Sequence, residues 1–358
     1  MGSYFDKEVS RRDFLKRAAF LGAAGVVGAS FAAPLAKGFA QEVTNTAAMR
    51  FQPSWIPDVQ NGGVYAAIYE GYYAKEKLSV SILPGGPGIL GGAVVDSGGA
   101  EVGEMASSVD IVKAVSQGMK LKTFATVFQR SPAGLAYIKT YPDGRKGEDF
   151  SAGLPALKGK RIGITGGSNL PWRVMCAKAG MDPDKDFQIV STGFDLSPLL
   201  DGTVKAIWCF LTNQPGMVRG MGYDLGVIDS YEWGYKVPGN FLIAKPAFLN
   251  DRLDLATRFL RATKKGWEFT NTDKGGASVC EKITKVLAPN YGTKLAQQIA
   301  QCKDQIPFME SELTKKKGLL AINLQDWENA IKIMADIGEL EKIPKVEDFV
   351  TTAAFDRI

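Results

Sequence analysis

Residues 50–105 constrain the fold more than any other part of the chain, because extended and helical patterns alternate along them. An extended run over 49–55 leads into a polar, glycine-rich turn over 58–63, and an amphipathic segment follows. Apolar and polar residues then alternate over 78–82, which is the period of a β-strand, before a sharp loop over 84–88. This order predicts βαβ units and a parallel sheet, in which a ligand binds beyond the carboxyl ends of the strands.

The same alternation continues after this stretch and then gives way to helices. A polar insertion over 140–153 precedes a second group of predicted strands, and helical periodicity dominates from Asn250 onward. We therefore predict an α/β fold with two lobes that are joined by two crossovers acting as a hinge. The predicted first lobe comprises 46–138 and 245–345, the second lobe comprises 139–244, and 346–358 forms a C-terminal strap or tail.

The first 40 residues have the organisation of an export signal. A paired arginine, Arg11 with Arg12, precedes an apolar run over 18–33 and small residues over 38–40. The apolar run is too short for a typical membrane span. We predict a twin-arginine signal peptide over 1–40, cleaved near Ala40, and a periplasmic protein delivered by the twin-arginine export machinery. The alternative is a basic amphipathic helix.

The absence of histidine excludes the more familiar kinds of enzyme. The chain contains 358 residues and no histidine, which removes the commonest general base, the serine–histidine and cysteine–histidine pairs and most zinc sites. Chemistry based on Asp, Glu, Lys or Tyr remains open. A net charge of +5 with 23% charged residues indicates no basic face for nucleic acid. We expect no catalytic residues, no metal, no cofactor and a monomer.

Five short features of the first half of the chain carry a family resemblance. They are Trp55, Tyr65-Ala66-Ala67, Glu70-Gly71-Tyr72-Tyr73, Leu78-Ser79-Val80 and Pro84-Gly85-Gly86-Pro87-Gly88. Together they resemble ABC-transporter solute-binding proteins of the branch for thiamine-pyrimidine precursors, riboflavin, sulfonates and nitrate. The resemblance extends over 49–274. It implies a two-lobed type II periplasmic-binding fold, each lobe a mostly parallel sheet flanked by helices, with the ligand cleft between the lobes. It also implies a small-molecule solute and an ABC permease in the inner membrane.

Candidate ligand-binding residues share a position at or just after the end of a predicted strand. They are Trp55, Gln60, Asn61, Pro87, Ser107, Ser108, Gln129, Ser168, Asn169, Trp172, Phe194, Asp195, Phe210 and Asn213. Such a set can stack a flat ring between aromatic side chains and fix its polar edge with amides and a carboxylate. We therefore predict a planar, pyrimidine- or flavin-like solute. Alternatively, Trp55 and Trp172 belong to the hydrophobic core.

Three other interpretations remain open. An organic or inorganic oxyanion such as a sulfonate or nitrate would need convergent backbone N–H groups and a cation, for which Arg130 and Arg173 are candidates. An exported enzyme without histidine, or a ligand sensor for a membrane regulator, would use the same fold. The fungal pyrimidine synthases that resemble these binding proteins use an active-site histidine. Asn61 stands at that position here, so the resemblance does not transfer their activity.

The four cysteines allow two disulfides. Cys280 with Cys302 could join two C-terminal helices, and Cys176 could reach Cys209 in the second lobe. Four buried free thiols are the alternative.

Overall fold

Two five-stranded sheets form the framework of the described chain. The computed structural model describes residues 46–86, 89–164, 170–192, 195–289 and 294–358. Its strands are β1 (Ala47–Gln52), β2 (Leu78–Ile82), β3 (Val102–Ser107), β4 (Lys122–Phe128), β5 (Ala133–Thr140), β6 (Arg161–Ile164), β7 (Gln188–Ser191), β8 (Ala206–Phe210), β9 (Asp224–Asp229) and β10 (Gly239–Ala244). They alternate with helices in the first two thirds of the chain, as the pattern of the sequence predicts.

Each sheet contains one strand that runs against the other four. The strand orders among the described residues are β2-β1-β3-β10-β4 and β7-β6-β8-β5-β9. β10 is antiparallel to β3 and β4, and β5 is antiparallel to β8 and β9, whereas the other pairings are parallel. The reversed strand is in each case the first one after the chain passes from one sheet to the other. The chain therefore crosses between two lobes twice, after β4 and after β9.

The helices flank these sheets and fill the C-terminal third. The α-helices are Gly62–Tyr69, Tyr72–Lys75, Gly91–Asp96, Ser108–Ser116, Leu170–Lys178, Ser197–Leu200, Gln214–Arg219, Pro246–Asp251, Leu253–Thr270, Asp273–Lys282, Leu295–Met309, Glu312–Lys317, Leu324–Asp336 and Val346–Phe349. Short 3-10 helices span Val59–Asn61, Leu154–Leu157 and Phe355–Arg357, and a π-helical turn spans Ile283–Leu287. Among the described residues, no helix is long and apolar enough to cross a bilayer.

The crossover strands lie slightly differently from the predicted lobe boundaries. β5 begins at Ala133 and pairs within the second sheet, so the predicted boundary between 138 and 139 falls inside this strand. β10 pairs within the first sheet from Gly239, before the predicted return at 245. The sequence pattern locates each strand but does not say which sheet a crossover strand joins, because that depends on distant partners. The division into lobes remains a prediction, in which β5 now belongs to the second lobe and β10 to the first.

The polar turn is attached to the first lobe by an unusually close helix crossing. The helix Gly62–Tyr69 lies against the helix Leu253–Thr270, where a Cβ on Gly266 would lie 1.9 Å from the carbonyl oxygen of Gly63. A Cβ on Gly63 would in turn lie 2.3 Å from the buried ring of Trp267. Glycine is required at both positions because any side chain would push the helices apart.

Hydrogen bonds join the two crossovers to each other. The amide of Ser131 donates to the carbonyl of Val237 (2.8 Å), and the hydroxyl of Ser230 donates to the carbonyl of Ala133 (2.7 Å). The C-terminal residues lie on the first sheet, where the amide of Thr351 donates to the carbonyl of Thr123 (2.9 Å).

Candidate functional site

Glu104 lies in the middle of β3, at the centre of a buried polar cluster. Its side chain is 1% exposed. One carboxylate oxygen accepts from the hydroxyl of Ser54 (2.7 Å) and from the amide side chain of Asn61 (3.1 Å). The other oxygen accepts from the amide side chain of Asn240 (2.7 Å). This single carboxylate therefore joins the loop after β1, the start of a helix and the crossover strand β10.

Asp58 organises the polar turn beside this cluster. Its backbone is extended, and its carboxylate accepts from the amide of Gln60 (3.0 Å), which caps the 3-10 helix Val59–Asn61. The same carboxylate accepts from the side chains of Asn213 and Gln301, at 2.9 Å each. Asn213 follows β8 of the second sheet, so this bond links the two lobes across the cleft.

Three glutamines on one helix face hold the turn in place. Gln298, Gln301 and Gln305 on the helix Leu295–Met309 follow i, i+3, i+7 spacing, which puts them on one side. Gln298 accepts from the amide of Val59 (2.8 Å), and Gln305 donates to its carbonyl (3.1 Å). All three side chains are buried. A rigid C-terminal helix therefore fixes the backbone of the turn.

The site contains two buried carboxyl groups, and no buried cation is found among the described residues. Burial raises the pKa of Asp58 to about 7, although hydrogen bonds from Gln301, Gln60 and Asn213 lower it in part. Burial also raises the pKa of Glu104, against hydrogen bonds from its neighbours. No lysine or arginine is buried in the described ranges. The site is therefore electrostatically suited to hydrogen-bond donors and cations rather than to anions.

Both candidate cations for an oxyanion are already engaged. Arg130 forms an ion pair with Asp229 (3.0 Å), and its guanidinium lies over the ring of Phe308, 4.4 Å from the centroid. Arg173 pairs with Asp184 (3.0 Å) and with Glu339 (3.4 Å). Binding an anion at either arginine would therefore compete with an existing carboxylate.

Three buried polar atoms around the acids have no partner within the described residues. They are the hydroxyl of Tyr65 and the side-chain oxygens of Asn240 and Gln305. Burial raises the pKa of Tyr65, and the nearby charges of Asp58 and Glu104 raise it further. Asn240 also has φ of +39°, a left-handed backbone conformation that is uncommon for a residue other than glycine. Buried unpaired polar atoms are costly, and they mark a place where water or a ligand completes the bonding.

Comparisons with known proteins identify the family of the chain. Residues 58–274 match the family described as NMT1/THI5 like. The chain belongs to this family. The matched region begins at Asp58, and it contains Glu104, Asn213 and Asn240 but not the three glutamines.

Relatives of this NMT1/THI5-like protein include a binding protein and an enzyme. A riboflavin-binding protein of Chloroflexus aurantiacus is 25% identical over 304 residues, which cover 83% of each chain. A 4-amino-5-hydroxymethyl-2-methylpyrimidine phosphate synthase of Uromyces fabae is 26% identical over 231 residues, covering 60% of this chain and 64% of the enzyme.

A solved structure shows the fold. The alkanesulfonate-binding protein SsuA of Xanthomonas axonopodis pv. citri aligns with a TM-score of 0.64 at 13% identity, over 86% of this chain and 99% of that protein. The protein therefore has the two-lobed type II periplasmic-binding fold, with a mixed sheet flanked by helices in each lobe.

The structure brings only some of the predicted residues of this family member together. Gln60, Asn61 and Asn213 lie in the acidic cluster, and Trp55 is partly exposed in the loop that leads to it. Phe210 is partly exposed at the end of β8. The predicted residues Pro87, Ser168, Asn169 and Phe194 lie outside the described residues.

Other predicted residues form bonds that hold the fold. Ser108 is fully buried and donates to the carbonyl of Pro238 (2.8 Å). Gln129 donates to the carbonyls of Thr126 and Ala321 and accepts from Ser311, so its amide is saturated within the first lobe. These bonds engage both side chains within the fold, and the predicted contact of Ser108 and Gln129 with the ligand stays a prediction.

Two more predicted residues lie at or near the ends of secondary-structure elements. Asp195 is exposed and accepts from the amide of Ser197 (2.9 Å), which lowers the pKa of its carboxyl. This bond closes a local turn, and the predicted contact of Asp195 with the solute stays a prediction. Ser107 is the last residue of β3, and its hydroxyl has no partner in the described chain.

Trp172 lies in the hydrophobic core of the second lobe. It is 1% exposed and makes an edge-to-face contact with Phe187, with ring centroids 4.8 Å apart. Its other ring neighbour, Trp208, is on β8 of the same sheet. The structure therefore favours the alternative in which Trp172 belongs to the hydrophobic core.

This difference between the two tryptophans gives a prediction. Trp172→Ala should lower the free energy of unfolding by about 3–5 kcal/mol, as expected for removal of a buried aromatic side chain. Trp55→Ala should change the melting temperature much less and weaken solute binding roughly tenfold. Melting curves with and without solute measure both effects. Parent-like melting of the Trp172→Ala variant would contradict the core assignment.

Sequence reasoning missed Glu104 and the three glutamines. Glu104 stands between Gly103 and Met105 in a short strand, and its three partners are distant in sequence. The regular spacing of Gln298, Gln301 and Gln305 on one helix face could have predicted a contact with a polar element, because such a polar stripe in an amphipathic helix often has one.

Proposed function

We propose that the protein is an exported solute-binding protein of an ABC importer, and that its solute is a neutral or cationic, planar nitrogen heterocycle. Membership of the NMT1/THI5-like family supports the solute-binding role, and the fold provides a cleft between two hinged lobes. The riboflavin-binding relative and the pyrimidine-forming relative both handle such rings.

The observation that carries the choice of solute is the pair of buried carboxyl groups, Asp58 and Glu104, with no buried cation in the described chain. A sulfonate or nitrate entering this region would meet no buried cation, and it would face like charge whenever these carboxyl groups are ionised, since burial weakens the screening of such repulsion. A heterocycle can donate N–H groups to the unpaired oxygen of Asn240 and to the carboxylates. Trp55 would then cover one face of the ring, which adds about 0.5–1.5 kcal/mol beyond burial.

Closure of the lobes is the proposed mechanism of capture. Asn213 reaches from the second lobe to Asp58 and Gln301, and Arg130 and Asp229 link the two crossovers. Solute bound against the polar turn would add contacts that exist only in the closed form, so it would shift the population toward closure. The inner-membrane permease would then recognise that closed form.

Export of the protein completes the proposal. We infer that residues 1–40 act as a twin-arginine signal, cleaved near Ala40, and that the mature monomer works in the periplasm. These residues lie outside the described part of the chain, so the support comes from the pattern of Arg11, Arg12 and the apolar run alone.

The alternative is that the protein is an enzyme on the same fold, but the chain lacks the histidine that the fungal pyrimidine synthases use. The fungal relative is named a synthase, and this chain contains no histidine. Incubation of the protein with a bound heterocycle, followed by mass analysis of the small molecule, separates the two roles. A receptor returns the molecule unchanged, whereas a new product would contradict the proposal.

Calorimetric titration tests the choice of solute. The panel comprises riboflavin, an aminopyrimidine, an alkanesulfonate and nitrate at equal ionic strength. We expect saturable binding of a ring compound and no measurable heat from the two anions. Tight binding of either anion with no binding of the rings would overturn the assignment of solute class but would leave the receptor role standing.

A further inference from the structure

Cys280 and Cys302 face each other across two packed helices. Cys280 is on the helix Asp273–Lys282, and Cys302 is on the helix Leu295–Met309. A Cβ on Gly276 would lie 3.0 Å from the sulfur of Cys302. Cys280 comes four residues after Gly276, on the same helix face. Both thiols belong to one buried cluster, at 0% and 4% exposure.

The two thiols interact with each other, and the thiol of Cys302 also donates to the carbonyl of Thr270 (3.6 Å). Side-chain hydrogen bonding with Cys280 lowers the pKa of Cys302, while the same interaction and burial raise the pKa of Cys280. A thiolate is the attacking species in disulfide exchange. The pairing of Cys280 with Cys302 therefore rests on their proximity in one buried cluster, and the lower pKa makes Cys302 the thiol to which we assign the first attack.

We propose that Cys280 and Cys302 form an oxidation site that closes to a disulfide when the protein meets a disulfide oxidant such as oxidised glutathione. The Cys302 thiolate attacks one sulfur of the oxidant, breaks its S–S bond and releases one glutathione thiolate. The Cys280 thiolate then attacks the sulfur of Cys302 and releases the second glutathione thiolate. The two protein thiols lose two protons and two electrons, and one oxidised glutathione becomes two reduced molecules.

The bond would fix the helix that holds the candidate site. Cys302 is adjacent to Gln301, whose side chain donates to Asp58, and the same helix carries Gln298 and Gln305. A cross-link to the helix Asp273–Lys282 limits the movement of this helix relative to the first lobe. The presence of the bond in the mature protein rests on the proposed export, because the periplasm is oxidising.

The other two cysteines provide an internal control. Cys176 packs with Trp172 in one core cluster of the second lobe, and Cys209 packs with Leu199 in another. Burial raises the pKa of each to about 12. All four cysteines are free buried thiols in the structure, and Cys176 and Cys209 belong to different clusters, which does not support the suggestion that these two could pair.

Peptide mapping of the oxidised full chain tests the proposal. The purified protein is treated with oxidised glutathione, unfolded with N-ethylmaleimide present, and digested with trypsin. We expect a linked pair of the peptides 275–282 and 295–303, with alkylated Cys176 and Cys209. The linked pair should be absent from Cys280→Ser and from Cys302→Ser. The oxidised parent should melt about 5–10 °C above its reduced form.

Three results would overturn the inference. They are alkylation of all four cysteines after oxidation, a stable glutathione adduct on Cys302 without the cross-link, and a cross-link between Cys176 and Cys209. A failure of solute binding would leave this result unaffected, because the cross-link is read by mass without any solute.

Discussion

Gly266→Ala is expected to lower the melting temperature by roughly 5–10 °C. The added methyl group would lie 1.9 Å from the carbonyl oxygen of Gly63. Because this oxygen belongs to the backbone, the clash is relieved only if the helix Gly62–Tyr69 moves. Overpacking of this kind costs about 1–3 kcal/mol, occasionally more, and a backbone obstacle favours the upper end. Because this helix begins at the polar turn, the same variant should also weaken solute binding. Thermal melting and titration measure the two effects.

Gly216→Ala is the matched control. Gly216 lies in the helix Gln214–Arg219, and a Cβ added there would meet no atom of a neighbouring element within 4 Å in the described chain. Alanine favours the helix over glycine, so this variant should melt at the parent temperature or slightly above it. Equal melting of the two alanine variants would contradict the close crossing of the helices.

Asp58→Asn is expected to change how stability depends on pH. The native pKa of Asp58, about 7, exceeds its ordinary value of 3.8. Between these values the native state holds a proton that the unfolded chain has released. The contribution of Asp58 to the free energy of unfolding is therefore complete below pH 4 and is lost as the pH rises through 7. The loss amounts to roughly 4 kcal/mol at most. The asparagine variant should lack this decline in stability. Denaturant unfolding at pH 5 and pH 8 compares parent and variant.

Asp195→Asn serves as the control for that experiment. Asp195 is exposed, and the amide of Ser197 lowers the pKa of its carboxyl, so its small effect has the opposite sign. The free energy of unfolding of Asp195→Asn should therefore depend on pH in the same way as that of the parent between pH 5 and pH 8. If Asp58→Asn also follows the parent, then Asp58 is ionised in the native protein throughout this range and is not the buried acid described here.

The order of strands could be predicted from the sequence because it depends on local periodicity. The alternation over 78–82 predicts β2, and the structure confirms Leu78–Ile82. The helical periodicity predicted from Asn250 onward is confirmed by the helix Leu253–Thr270. The assignment of β5 and β10 to their sheets could not be predicted in this way, because it depends on pairing with strands far along the chain.

The site was less predictable because its parts meet only in the folded chain. Gln60, Asn61 and Asn213 were found through their positions after predicted strands. Glu104 was missed because a lone acid in a short strand normally indicates a solvent-facing position. The core position of Trp172 stayed an open alternative because proximity to a strand end does not fix the rotation of a helix, and here the ring turns toward the apolar sheet.

Native mass spectrometry of the exported protein, released without denaturation, tests the proposed solute class most directly. We expect a bound small molecule that is released on unfolding, absorbs in the near ultraviolet as a nitrogen heterocycle does, and is neutral or cationic at pH 7. We also expect Trp55→Ala to carry less of this molecule than the parent does. A bound sulfonate or nitrate, retained equally by parent and variant, would contradict both the solute class and the role of Trp55.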